Sequence, residues 1–392
     1  MDIGEFFSAL NRQPEKKESG LPIRDAQSFY EKTDEQIELP LKCGQSVIEY
    51  REFVWKKLWC TLAKAGNHGN IELEKLLFFD LETTGLSFGA GNLPFLVGLG
   101  FFKGTSFHVV QFFLHEQSGL VDMLQAVAEY FSDSRQLVSY NGKSFDWHIL
   151  ANKLRFFRIV DLPSPESHFD LLHIVRRIWR GMLGEFSLGM VERKVLKWHR
   201  QGDIESALIG EHYFRYLHSR DRLWIEPIIA HNRQDIISLV ALFQLLERLV
   251  DQPVVPLPYL KNLLSVLDSR NAYRLGLDLI ERYISNGGIV DDPLKVFHGR
   301  FLKKNGQWRE AAAIWQGLNT QESLLGLAKI YEHKLRDYSR ALACCQCLVQ
   351  QNVTNTMAAD LGIHIPQGVS GDELKQLRER MERLTYKIKF LS

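Results

Sequence analysis

Along the chain short apolar runs and strand-like patterns come first, and helical spacing dominates afterwards. The first 35 or so residues are polar after a short patch at Phe6, Phe7 and Leu10, which suggests a flexible N-terminal arm over 1–40. Residues 41–72 form a lead-in, with a strand and a helix expected around Trp55 and Trp59. Leu76–Phe79 reads as a buried strand. Leu93–Phe102 and Ser106–His115, parted by Lys103-Gly104-Thr105, read as a hairpin. Leu120–Phe131 has helical spacing, Gln136–Tyr140 is a further strand, and Asn141-Gly142-Lys143-Ser144 leads into a helix over Phe145–Phe157. Helical patterns follow at Leu171–Arg180, Leu188–Leu196, Leu208–Leu217 and from Leu223 to Val250, with Pro227 in the first turn of the last. The expectation for 73–250 is an α/β domain, a mixed sheet flanked by helices.

Pro253, Pro256 and Pro258 stop the long helix and mark a linker over 251–258. From 259 to 392 the pattern is all helical. Three stretches begin with an aromatic residue and carry a small residue three positions later: Tyr273 with Gly276, Trp308 with Ala311, and Tyr338 with Ala341. Their spacing brackets the ~34-residue period of a helix-turn-helix repeat, so a short tetratricopeptide-like array is expected, with an ordinary helical bundle as the alternative.

The 392 residues are 45% apolar, enough for a sizeable core and more than one domain. Lysine plus arginine (48) balances aspartate plus glutamate (47), so total charge argues neither for nor against a polyanionic partner. Five cysteines, three of them crowded at Cys344, Cys345 and Cys347, form neither a disulfide framework nor a zinc-site pattern. No signal peptide or long apolar span is evident, and a soluble, cytoplasmic protein is expected.

The chemistry concentrates where the Leu76–Phe79 strand runs into Asp80 and Glu82. Side chains at i and i+2 of a strand share a face, and two like charges there ask for a divalent cation. Downstream candidates are Asp146, at the start of its helix, and His231 with Asp235, which share one face of the long helix four residues apart. Asp146 alone could equally serve the helix dipole, and the His–Asp pair could be a surface pair. Asp170 could support a ligand residue or cap a helix.

Taken in order, Asp80, Glu82, Asp146, His231 and Asp235 resemble the DEDD superfamily of RNase H-like 3′→5′ exonucleases: Asp80 and Glu82 match its first motif, Asp146 its second and Asp235 its third. Within it, Phe169-Asp170-Leu171-Leu172-His173, His212 to Leu217 and His231 to Ile236 look like the bacterial YprB-type family with a tetratricopeptide-like tail, whose studied branch is a mitomycin repair exonuclease. One departure stands out: His231 precedes the last aspartate by the spacing of the tyrosine subclass, not of the histidine subclass. The resemblance implies an RNase H-like fold and a two-metal DNA exonuclease acting in repair. Two Mg²⁺ or Mn²⁺ ions about 3.5–4 Å apart would be held by Asp80, Glu82, Asp146 and Asp235, with His231 as general base. Oxygen ligands suit these ions better than Zn²⁺.

Thr83, Asn141, Lys143, Arg176 and Arg177 are the candidate substrate contacts. The wider run through Trp179, Arg180, Arg193, Lys194, Lys197, Trp198 and Arg200 reads either as a groove for phosphates and bases or as an exposed basic helix face with buried tryptophans. The resemblance also suggests a DNA helicase as partner of the helical tail. The rival readings are an RNase H-like structure-selective endonuclease and a non-catalytic nucleic-acid-binding scaffold.

Overall fold

The computed structural model describes residues 29–43, 46–48, 58–62, 73–85, 92–131, 136–159, 167–251, 255–360 and 371–391. Most of the expected arm and lead-in, and Pro253 of the linker, lie outside them. The chain divides into two compact units, Met1–Asp251 and Gln252–Ser392.

The first unit is built on a six-stranded mixed sheet of order β1-β6-β5-β4-β7-β8. Its strands are β1 (Tyr30–Ile37), β4 (Leu76–Thr83), β5 (Pro94–Lys103), β6 (Ser106–Leu114), β7 (Gln136–Ser139) and β8 (Ser167–Asp170), while β2 (Leu41–Cys43) and β3 (Ser46–Ile48) pair separately. β4, β5 and β6 form the antiparallel meander that the sequence predicts, turning at Gly104 with φ +56°. β7 and β8 then add parallel to β4, which requires crossovers. These are supplied by α2 (Leu120–Ala128) and α3 (Asp146–Phe156); α1 is the short helix Leu58–Leu62.

Two findings differ from the sequence reading. Tyr30–Ile37, within the expected arm, is an edge strand paired with β6, and Arg233 and Arg222 grip its Glu35 and Glu31. Its charged composition hid it, because an edge strand faces water. β8 was also missed, being only four residues long.

The two faces of β4 serve different purposes. Leu77, Phe79 and Leu81 enter the main core, with Leu124 and Val127 of α2, Leu150 and Leu154 of α3, and Tyr213 of α6 (Ile209–Ser219). Phe78, Asp80 and Glu82 face the opposite way, toward the helix α7 (Glu226–Asp251). Phe78 packs edge-on to Phe243 of α7 (5.7 Å) and to Phe107 (5.8 Å), and Trp59 stacks on Phe243 at 4.1 Å. The short helices between are α4 (Leu171–Ile178) and α5 (Leu188–Val191), the latter continued by a wide turn, Glu192–Leu196.

α7 lies unusually close to β5, because β5 presents bare backbone there. A Cβ on Gly98 would overlap the Asn232 carboxamide, and one on Gly100 would come within 2.5 Å of Ile236 Cγ2 and 2.6 Å of Phe107 Cζ. That close approach brings the His231–Asp235 face of α7 over β4.

The second unit is helical: α8 (Leu257–Asp268), α9 (Tyr273–Ser285), α10 (Asp292–Lys304), α11 (Trp308–Trp315), α12 (Gln321–Ile330), α13 (Tyr338–Asp360) and α14 (Gly371–Leu391). Each packs on its neighbour in sequence, as a stacked array does. The three aromatic residues Tyr273, Trp308 and Tyr338 each open a helix, and the small residues that follow are buried; Gly276 lies directly under Phe301. Trp315 fills the space left by Gly299 and Gly326. Glu332, buried, ties α14 in place through Arg380 (3.2 Å), Arg383 (2.9 Å) and Lys387 (3.0 Å). Of the clustered cysteines, Cys345 is buried as an apolar residue would be, while Cys347 is exposed.

The tight approach at β5 yields a stability test. Gly100→Ala forces Ile236 and Phe107 to move and is expected to cost about 1–3 kcal/mol in chemical denaturation. An unchanged midpoint would mean that α7 does not depend on bare backbone here.

Candidate active site

The site begins with a row across three strands. Asp80 of β4 pairs with Gly98 of β5, which pairs with Gln111 of β6. The bare centre of that row admits Asn232. Its Nδ2 donates to Asp80 Oδ2 (2.9 Å), and its Oδ1 accepts from Gln111 Nε2 (2.9 Å), which also donates to Ile229 O (2.9 Å). Asn232 is fully buried. The amide therefore fixes the Asp80 carboxylate through one of its two oxygens.

Glu82, two residues on, sits just before a register irregularity in β4. Its Oε1 is 3.9 Å from His231 Nε2, and Asp235 Oδ2 lies 3.5 Å from the same nitrogen. The ligand atoms of Glu82, His231 and Asp235 lie within 4.8 Å of one another, the one such His/Cys/Asp/Glu group among the described residues. The i,i+4 relation of His231 and Asp235 thus points both inward, and each is only 9% exposed.

Asp146 opens α3, directly after the loop that follows β7. Asp170, the last residue of β8 and the register partner of Ser139, organises that loop. It accepts from the backbone N–H groups of Asn141 (2.8 Å) and Lys143 (3.2 Å) while capping α4 through Leu172 N–H (3.1 Å). The helix-cap role expected for Asp170 is filled, and the same carboxylate braces the turn that leads to Asp146. Asn141 takes a left-handed φ of 66°, so the chain turns sharply into α3.

The four carboxylates act on one another. Burial, followed by Asp235, Glu82 and Asp146, holds Asp80 well above the usual carboxylate range; burial, then Asp235 and Asp146, does the same to Glu82. Asp146 is pushed up to about 7, by burial first and then by Asp170 and Asp235. Asp235 is raised by burial, with Arg200 and His231 opposing. The four converge in one electrostatic neighbourhood, and oxygen donors crowded this way fit hard divalent cations.

Arg200 corrects the sequence reading. Expected as one cation of an exposed groove or helix face, its side chain is 10% exposed and reaches the centre of the site. Glu192, buried, grips Nε (2.5 Å) and Nη2 (2.7 Å), and Ser238 Oγ donates to Glu192. The same guanidinium donates to Asp235 Oδ1 and, at 3.2 Å, to Asp203 Oδ2. Burial would depress its pKa, but Glu192 and Asp235 together hold it raised and charged.

The expected substrate contacts fare unevenly. Thr83 spends its hydroxyl on its own turn, donating to Gly85 O at 2.9 Å. Lys143 is exposed and Asn141 half-buried at the mouth of the Asp146 loop; Arg176 and Arg177 are exposed on the last turn of α4. Trp179 is buried, so it cannot stack on a base, whereas Arg193, Lys194 and Lys197 are exposed. Sequence reasoning missed Asn232, Gln111, Glu192 and Asp203. Only Asn232 left a signal, three positions before Asp235 and so on the same helix face.

The buried charges give a thermodynamic test. The folded pKa of Asp146, about 7, exceeds its unfolded value of about 3.9, so its protonated form favours folding. That contribution is full below about pH 4 and is lost as pH rises through 7. In metal-free protein, Asp146→Asn is therefore expected to raise the melting temperature at pH 8 and to change it little at pH 4, a gain on the order of 1–3 kcal/mol at the higher pH. A variant less stable than the parent at pH 8 would show that the Asp146 charge is not repelled.

Residues 77–247 match the family model RNase_H_2, of the RNase_H superfamily. The matched span runs from β4 to near the end of α7 and so includes all five site residues. The chain is 27% identical over 325 residues to an uncharacterized protein, YprB, of Bacillus subtilis (strain 168), with 78% of each chain covered. Among the described residues no helix is long and apolar enough to cross a membrane. The mixed sheet with flanking helices, followed by a helical unit, is the architecture expected from the sequence, and residues 77–247 form an RNase H-like domain.

Proposed function

We propose that the protein is a metal-dependent nuclease that removes nucleotides from the 3′ end of DNA, with the helical unit, read as tetratricopeptide-like, binding a repair partner such as a DNA helicase. The observation that carries this reading is that half-buried Asp80, Glu82 and Asp146 and buried Asp235 lie near enough to raise one another's carboxyl pKa, with His231 beside Glu82 and Asp235. Buried like charges without a counter-cation cost stability, which favours a role that uses them.

Asp80, Glu82, Asp146 and Asp235 would hold two divalent cations, Mg²⁺ or Mn²⁺, which when bound offset the carboxylate repulsion and stabilise charge building on the phosphoryl oxygens. His231 presents Nε2 toward Glu82 and Asp235, where it can take the proton from an attacking water. Asn232 keeps Asp80 oriented. Asn141, Lys143, Arg176 and Arg177 lie on exposed or half-buried positions from which they would hold the phosphates of an incoming strand.

The test uses 5′-labelled single- and double-stranded DNA with Mn²⁺. A ladder shortening one nucleotide at a time from the 3′ end is expected; discrete internal cuts would replace the exonuclease reading with an endonuclease one, and labelled RNA run in parallel decides the sugar preference. Asp80→Ala is expected to lower the rate by on the order of 10²–10³-fold or more. Equal activity in that variant would remove the site from the reaction. Mn²⁺ should also raise the melting temperature of the parent protein and leave that of Asp80→Ala nearly unchanged.

A further inference from the structure

We propose that Asp203 is a positioning residue that holds His231 with its proton on Nδ1, so that Nε2 faces the carboxylates with a free lone pair, and that Arg200 locks Asp203 and Asp235 into this arrangement. The inference deepens the nuclease reading for its catalytic consequence, but its structural content stands by itself.

Three contacts carry it. His231 Nδ1 lies 2.6 Å from Asp203 Oδ1. A ring nitrogen and a carboxylate oxygen approach that closely only with a proton between them, because two lone pairs would repel. His231 Nε2 is 3.5 Å from Asp235 Oδ2 and 3.9 Å from Glu82 Oε1, too far for a good hydrogen bond to either. The third contact is Arg200 Nη1, 3.1 Å from the same Nδ1 and 3.2 Å from Asp203 Oδ2. These two distances offer a competing arrangement, in which Arg200 donates to Nδ1 and the proton sits on Nε2. It would leave Asp203 Oδ1 against a lone pair at 2.6 Å. When Arg200 donates instead to Asp203 Oδ2, each carboxylate oxygen has its own donor, and the remaining conflict, Nη1 beside a protonated Nδ1 at 3.1 Å, is looser than a carboxylate oxygen against a lone pair at 2.6 Å.

The clamp is built from the inside outward. Glu192 is 1% exposed and fixes one edge of the guanidinium, which leaves Nη1 to reach Asp203 while Nη2 also serves Asp235. Asp203 itself has a side chain 31% exposed, on the non-helical segment after Arg200. A partly exposed aspartate that bonds a buried histidine is placed to orient it. The chemical consequence is that the nitrogen turned to the site accepts a proton without first losing one.

The experiment is long-range ¹H–¹⁵N correlation NMR of the full-length, metal-free protein labelled with ¹⁵N-histidine, with the His231 signals identified by their loss in His231→Gln. A protonated Nδ1 and an unprotonated Nε2 are expected for neutral His231 in the parent. Asp203→Ala should shift that pattern toward the Nε2-protonated form. Circular dichroism checks that the variant folds, and Asp203→Asn, of the same shape, serves as a second probe if it does not. Nε2 protonated in the parent, or a pattern unchanged in both Asp203 variants, would overturn the inference. In turnover on DNA with Mn²⁺, Asp203→Ala is expected to lower kcat about 10–100-fold with KM within about twofold. Asp203→Glu, which retains the carboxylate, should recover part of that loss, whereas a merely structural role predicts none. If the NMR pattern holds but the parent protein cleaves no nucleic acid, the nuclease reading fails and the positioning role stands; if the parent cleaves and the pattern is absent, the reverse is true.

Discussion

The architecture of the first unit depends on one close contact, α7 against the uncovered backbone of β5 at Gly98 and Gly100. An ordinary side chain at either place would push the helix outward. The displacement would carry His231, Asn232 and Asp235 together, since all three share that helix. Packing and chemistry are therefore not separable here. The residue that makes room for Asn232, and the amide that then orients Asp80, are two halves of one device.

The second constraint is electrostatic. Four carboxylates brought close together repel one another, and among the described residues the largely buried Arg200 guanidinium answers part of that charge. Arg200 engages Asp235 and Asp203 with Glu192 behind it, so part of the negative charge is answered by protein. Glu82 feels the same guanidinium at longer range, while Asp80 is eased by the Asn232 amide and Asp146 is only raised by its neighbours. The unevenness leaves Asp80 and Asp146 with less compensation from basic side chains than Asp235 has.

Much of this was legible in the sequence, for identifiable reasons. The antiparallel meander was visible because its strands are apolar on both faces, and α7 because a 26-residue helix repeats its period many times. Asp80 and Glu82 announced themselves by the period of a strand, His231 and Asp235 by the period of a helix. What escaped lay where no period operates. Glu192, Arg200 and Asp203 sit on a wide turn and an irregular stretch, and their meeting with α7 is set by tertiary packing alone. Arg200 was misread because a cation among other cations looks like surface. β1 escaped for the opposite reason, its charges serving an edge and not a coil.

That edge strand has a consequence for the molecule as an object in solution. β6 is almost wholly apolar, with Phe107, Val109, Val110, Phe112 and Phe113 all buried, and β1 is what closes its outer flank. β1 is held by two arginine–carboxylate forks from elsewhere in the unit. One of these arginines, Arg233, follows directly on His231 and Asn232. Peeling β1 away would uncover a long apolar row of unpaired backbone, the kind of surface that joins one chain to the next. The strand thus acts as a seam seal, and it is fastened to the helix that carries His231 and Asp235.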